Sequence, residues 1–350
     1  MLVIVESYTL AGSYCSLPRE DAETVKDLKH YMDAFSRLNR APGPVWTEAT
    51  RNKAPHKPFL LLSVLDLAAG GILRSAFIDT QNDLGELNDL FVRYWRRIVP
   101  LSQKSSIALP FSRLHNEPFW KLLPRDGAEI TQTVLNSISA VTQLTNAAVG
   151  AKMDDDLYAL MQDSDARGAL RETLLTAYFS GEAAASLREQ SAINTGALEY
   201  SRELVKTSHL PLVKEIVEQA QVRPEVRDQG FRRAVVNLYD HRCALCGIRI
   251  VTPERHTVVD AAHVEPWSET QNDDVRNGMA LCKICHWAFD EFMMSVSDRY
   301  TVITSHQIAE TPNMPGFLLT LSGRGIILPE DRDLWPAQEY LGKHRENVVG

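Results

Sequence analysis

Two Cys-x-x-Cys pairs, Cys243–Cys246 and Cys282–Cys285, constrain this chain more than any other feature. Each pair puts two thiolates on one tight knuckle, and two knuckles complete a tetrahedral four-sulfur site suited to a structural Zn2+. The 35 residues between Cys246 and Cys282 (247–281) must therefore leave and return to one metal. That excursion carries Asp260-Ala261-Ala262-His263 and Asn277-Gly278, and the second knuckle runs directly into His286 and Asp290.

The remaining composition fits this reading. With four of the five cysteines in the two pairs, they read as metal ligands in a reducing cytoplasm, not as a disulfide framework. Cys15 is left over and is assigned no role. A length of 350 residues, 44% hydrophobic, calls for two or three globular cores. The apolar start Met1-Leu2-Val3-Ile4-Val5 meets Glu6 without a basic segment before it, so neither a signal peptide nor a membrane span is expected. The net charge of −8 does not advertise a nucleic-acid binder, but local basic patches would suffice for phosphate contacts.

Along the chain, residues 1–19 read as an extension, 20–180 as a mainly helical unit, 181–222 as a linker with a helix in it, and 223–350 as the cysteine-bearing unit. Helical spacing covers Glu20 to Arg40. Pro58 opens a buried helix through Phe59–Leu67, which Gly70-Gly71 ends. The stretch Ala108–Leu122 mixes aromatics, prolines and polar groups, as a binding loop or an aromatic core edge would. Arg227 to Tyr239 is an amphipathic helix whose Arg227, Arg232 and Arg233 lie off its apolar side and form either a solvated face or a phosphate-gripping one. Strands follow Asp290, including one at Phe317–Leu321, and a short helix lies near Ala337–His344.

The central stretch resembles the HNH nucleases, and within them the McrA-like branch, through Ala261-Ala262-His263, Asn277-Gly278 to Leu281-Cys282 and Cys285-His286 to Asp290. The resemblance implies an α+β protein whose C-terminal ββα-metal domain hydrolyses DNA phosphodiester bonds. Strand-borne His263 would be the general base and Asn277 would hydrogen-bond and orient its imidazole. His286 and Asp290, at i and i+4, would grip one divalent ion, Mg2+ or Mn2+. Where many members carry a metal ligand before the base, this chain has Ala262, which leaves Asp260 as a helper ligand.

A second resemblance, over residues 20–180, is to the sulfur-binding domain of phosphorothioate-dependent McrA-type enzymes. It rests on Ala54–Leu62 with its His56-Lys57-Pro58, and on Glu117–Leu122. It implies a surface that reads DNA, formed by Arg51, His56, Lys57, His115, Pro118 and Trp120. Glu117 stands where that family's pocket has a Tyr, and a carboxylate beside a phosphorothioate is unfavourable. Together the two resemblances imply a modification-dependent restriction endonuclease acting on double-stranded DNA, with a homodimer or two independent nicks needed for a double-strand break. A nuclease or nickase reading plain sequence, and an inactive zinc-containing DNA-binding protein, are the alternatives.

Overall fold

The structure is a computed structural model, and it describes residues 26–125, 129–209, 222–306, 308 and 316–349. Cys15, the 1–19 extension and part of the 181–222 segment lie outside the described residues. No described helix is long and apolar enough to cross a membrane.

The first unit is built on a helix that is apolar on every side. Helices α1 (Leu28–Ser36) and α2 (His56–Ala69) open it, and all of α2 from Lys57 to Ala68 is buried. A helix without a polar face has to sit at the centre. Strand β1 (Phe77–Asp79), α3 (Leu84–Ile98), α4 (Ala108–Arg113), β2 (Trp120–Pro124), α5 (Gln132–Ser137), α6 (Val141–Ala147), β3 (Ala148–Met153), α7 (Asp155–Gln162) and α8 (Ser164–Tyr178) follow. Helices α3, α4, α7 and α8 pack on α2, and the three strands form a small antiparallel sheet in the order β1-β3-β2.

Residues 108–122 are therefore regular structure, not an open binding loop: α4, a 3-10 turn at Leu114–Asn116 and the start of β2. Phe111, Phe119 and Trp120 belong to the core.

Helix α9 (Gly181–Thr207) runs for 27 residues and packs on α2, α3 and α8 as well as on α10 (Pro224–Leu238). Its buried face includes Gln190, Ser191, Asn194 and Ser201 alongside Leu187, Ile193, Leu198 and Leu204. Asp66 of α2 is fully buried and accepts hydrogen bonds from Ser191 Oγ (2.7 Å), Asn194 Nδ2 (2.8 Å) and Tyr94 Oη (2.6 Å), with Arg171 at 3.2 Å. A buried carboxylate needs such partners. The first core ends at Leu198 and the second begins at Leu204, so the change of core falls within this one helix.

The second unit is a hairpin held between two helices. Strands β4 (Val259–His263) and β5 (Gly278–Cys282) pair antiparallel, Val259 opposite Cys282 and His263 opposite Gly278. A short helix α11 (Trp267–Thr270) lies in the connection. Helix α10 packs on the hairpin, and α12 (Lys283–Asp290) follows β5 directly. Gly278 is fixed by packing: a Cβ there would meet Val235 Cγ2 at 2.6 Å and Phe231 Cζ at 2.9 Å, both on α10. Strands β6 (Met294–Val296) and β7 (Val302–Thr304), α13 (Gly316–Leu319) and α14 (Gln338–Val349) complete the unit. Phe317 to Leu319 are thus helical, where the apolar run had suggested a strand.

Candidate active site and metal centre

The four thiols converge. Their Sγ atoms lie within 4.8 Å of one another, and Cys246 Sγ is 3.8 Å from Cys282 Sγ. Sulfurs 2.3 Å from a tetrahedral zinc stand about 3.8 Å apart, so the donor set fits a structural Zn2+. Knuckle and hairpin also share backbone: Ala244 N–H donates to Ala280 C=O at 2.7 Å. A metal held by these thiols would fix the end of β5, from which α12 departs.

His263 closes β4. Pairing with Gly278 turns it toward α10, where its ring stacks on Phe231, centroids 3.9 Å apart and planes 4° from parallel. Its Nε2 lies 2.8 Å from Asp273 Oδ1. Asp273 is fully buried, accepts from Tyr200 Oη at 3.0 Å and has Arg227 Nε at 3.8 Å. Arg227 in turn lies over the Trp267 ring at 3.5 Å. Burial, and then the charge of Asp273, push the Tyr200 hydroxyl well above its ordinary pKa. A carboxylate can only accept here, so Nε2 carries the hydrogen and the neutral ring keeps its lone pair on Nδ1.

Asn277 does not hydrogen-bond that ring. Fully buried in a 3-10 turn before β5, it accepts from Glu265 N–H at 2.8 Å and donates to the carbonyls of Glu265 (3.1 Å) and Asn272 (3.0 Å). Its amide shapes the loop that carries Asp273 to His263. The imidazole is oriented by Asp273, which the sequence reading missed. Nothing local marks Asp273: it is one of two adjacent aspartates ten residues beyond the histidine.

His286 and Asp290 sit one turn apart on α12 with Nε2 and Oδ2 at 3.5 Å, half-exposed, a spacing at which both can face one divalent ion. Burial raises the Asp290 carboxyl and His286 partly offsets this. Asp260 does not join them. Its Oδ1 accepts from Arg232 Nε at 2.7 Å, because Arg232 reaches over the hairpin from α10. The donors that fit the ion are His286 and Asp290.

The expected reading surface is only partly at the surface. Trp120 is buried, donating Nε1–H to Phe111 C=O at 3.1 Å. Lys57 is buried and pairs with Glu117 at 2.5 Å, so its ammonium is committed and the Glu117 charge is balanced. His56 packs edge-on against Trp46 and is tilted on Trp95, and burial lowers its pKa to about 4. Arg51 donates to the carbonyls of Phe179 (3.1 Å) and Thr176 (2.8 Å). His115, half-buried, lies 2.7 Å from Ser112 C=O through Nδ1, and Pro118 is exposed. His115, Glu117, Pro118 and exposed Lys121 line one shallow cleft, and Trp120, though buried, forms part of its wall with Leu122, Ile130 and Leu135. Arg233, read as part of a solvated or phosphate-gripping face, is instead ion-paired with Glu86 of α3.

Residues 243–297, the knuckles and the hairpin just described, match the family model of the HNH endonucleases. The C-terminal unit thus carries a segment similar to the HNH endonucleases. Residues 44–193, within the first core, match the model described as ScoMcrA-like, DNA sulfur-binding domain. A solved structure described as a modification dependent TagI restriction endonuclease aligns with the chain at 20% identity and a TM-score of 0.28. The alignment covers 39% of this chain and 45% of that one, so the chain spans less than half of that length. No curated protein matches. Within the HNH segment, His263, Asn277, His286 and Asp290 occupy strand end, turn and helix in the order of the motif.

Proposed function

We propose that the chain is a modification-dependent restriction endonuclease whose HNH segment hydrolyses DNA and whose N-terminal unit selects the substrate. One observation carries the reading: a histidine held by a buried carboxylate at the end of a hairpin whose next helix presents His286 and Asp290. His263 takes the proton of the attacking water on Nδ1, and Asp273 stabilises the imidazolium that forms. Phe231 blocks one face of the ring and limits its rotation. Asn277 keeps the 265–277 loop closed so that Asp273 stays in place. His286 and Asp290 would hold a divalent ion, which when bound supplies charge stabilisation at the scissile phosphate.

On the reader, phosphorothioate is the modification we favour. Its soft, weakly hydrated sulfur suits an apolar lining, and the Lys57 pairing of Glu117 removes the electrostatic objection to a carboxylate there. His115, Pro118 and Lys121 would make the contact. One centre per chain makes a double-strand break the work of a homodimer or of two nicks.

The test is cleavage, with Mg2+ or Mn2+, of matched plain, phosphorothioate, 5-methylcytosine and 5-hydroxymethylcytosine duplexes, with His263→Ala as control. The expected result is cutting of the phosphorothioate duplex alone, lost in the variant while DNA binding persists. Equal cutting of all four rejects modification dependence. Retained binding without any cutting favours an inactive DNA-binding protein.

A further inference from the structure

A cleft of about 440 Å3 opens where α3 of the first unit faces α10 and the 249–257 loop of the second. It takes Arg93 and Arg96 from α3, Arg232 and Arg233 from α10, and Arg255 from the loop. Against these five arginines stand two carboxylates, Glu86 and Asp89, which leaves three positive charges within a chain of net charge −8. Counting Asp260 on the rim, which pairs with Arg232, still leaves two.

The pairing is uneven. Arg233 is satisfied by Glu86, and Arg232 by Asp260. Among the described residues, Arg93, Arg96 and Arg255 have no side-chain hydrogen bond and no ion pair within 4.0 Å. His241 lines the same cleft, and its buried Nδ1 has no partner. Like charges gathered in a partly desolvated seam repel and lose hydration, a cost that a bound anion would offset. Burial depresses the guanidinium of Arg93 despite the neighbouring Asp89.

The lining also says which anion. Guanidinium forks match phosphate oxygens bidentately. No Phe, Tyr or Trp lines the cleft, and its ring side chains are His241 and His256 alone, so five guanidinium groups equip it for phosphate far better than for base stacking. From this unpaired arginine cluster we infer that the seam is a second DNA contact, a clamp on backbone phosphates whose lining includes none of the reading-cleft residues and none of His263, Asn277, His286 and Asp290. The inference rests on the proposed action on DNA. It gives the protein a sequence-independent grip where its two units meet, so that bound DNA would be held by both units together.

The experiment is the salt dependence of binding to a short plain duplex, comparing wild type with R93Q/R96Q, R93K/R96K and the single variant R96Q at the exposed Arg96. Each phosphate contact contributes about 0.9 to the slope of log affinity against log salt. The expected slope falls by about 2 in R93Q/R96Q and by about 1 in R96Q, with affinity reduced about tenfold or more, and R93K/R96K recovers most of it. An unchanged slope in R96Q, or in R93Q/R96Q with an unaltered melting temperature, overturns the inference. So does a site that stabilises the fold with inorganic phosphate, in an R96-dependent way, while the DNA slope stays the same. If wild type binds no DNA at any salt concentration, the nuclease reading itself fails, a result separate from either of these.

Discussion

At the scale of the residue, the most telling contact is that between His263 and Asp273. A histidine left to itself samples two tautomers and several ring orientations. Here the buried carboxylate accepts Nε2–H at 2.8 Å while Phe231 stacks on the ring, so Nδ1 is the basic nitrogen. Asp273 is a positioning residue, and Asp273→Asn keeps its shape while removing its charge. The single-turnover rate on saturating DNA should fall about 100-fold or more, within the usual worth of general acid–base catalysis. DNA affinity should stay within about twofold. Tyr200→Phe should have a much smaller effect, since Arg227 and His263 still face the carboxylate. If Asp273→Asn cleaves at the wild-type rate, His263 is not oriented by this bond. If it loses affinity and melting temperature together, Asp273 serves only the fold.

At the scale of the element, a metal on the four cysteines would do for the hairpin what a large core does elsewhere. Strands of five residues each, with one short helix in their connection, hold little of their own. Metal binding to four thiolates is worth on the order of 10 kcal/mol of folding free energy in small zinc modules. The protein should carry one zinc per chain through these thiols. Cys243→Ser/Cys285→Ser, or a strong chelator, should release it and melt the second core while the first core, Tyr31 to Leu198, keeps its own transition. A metal-free protein that melts as the wild type does would refute the staple.

The staple was legible in sequence because its signal is local: two short spacings fix two knuckles. The helix pair His286–Asp290 was legible for the same reason. Asp273 was not, because its partners Tyr200, Arg227 and His263 come from three separate elements. Helix α9 hid differently. Ser191, Asn194 and Gln190 occupy its buried face, so its apolar period is broken although its packing is complete. Trp120 and Phe111 read equally well as a binding loop, and only their burial decided for the core.

At the scale of the whole molecule, each core holds a histidine whose pKa burial lowers, half-buried His56 at the edge of the first and buried His344 within the second. His56 sits among Trp46, Trp95 and the α2 core, and its pKa is lowered to about 4. His344 stacks on Phe289 at 3.7 Å, bonds Ser295 Oγ and Phe289 C=O, and is lowered to about 4 as well. Both would titrate near 6.5 once unfolded. At these two sites the unfolded chain therefore binds more protons than the folded one between about pH 6.5 and 4, and their contribution to stability falls as pH drops across that window. Full stability is present above pH 6.5 and the contribution is lost as pH drops through 4. Burial raises Asp66 and Asp89, which act in the opposite direction, so the net curve alone does not isolate the histidines. A difference does. His56→Gln and His344→Gln each remove one titrating group, so each variant's stability deficit relative to wild type should shrink steadily from pH 7 to pH 4.5. Chemical denaturation at matched pH values measures this directly. Curves that stay parallel over the window would mean that both imidazoles accept their proton in the folded state, and that neither core is closed to it.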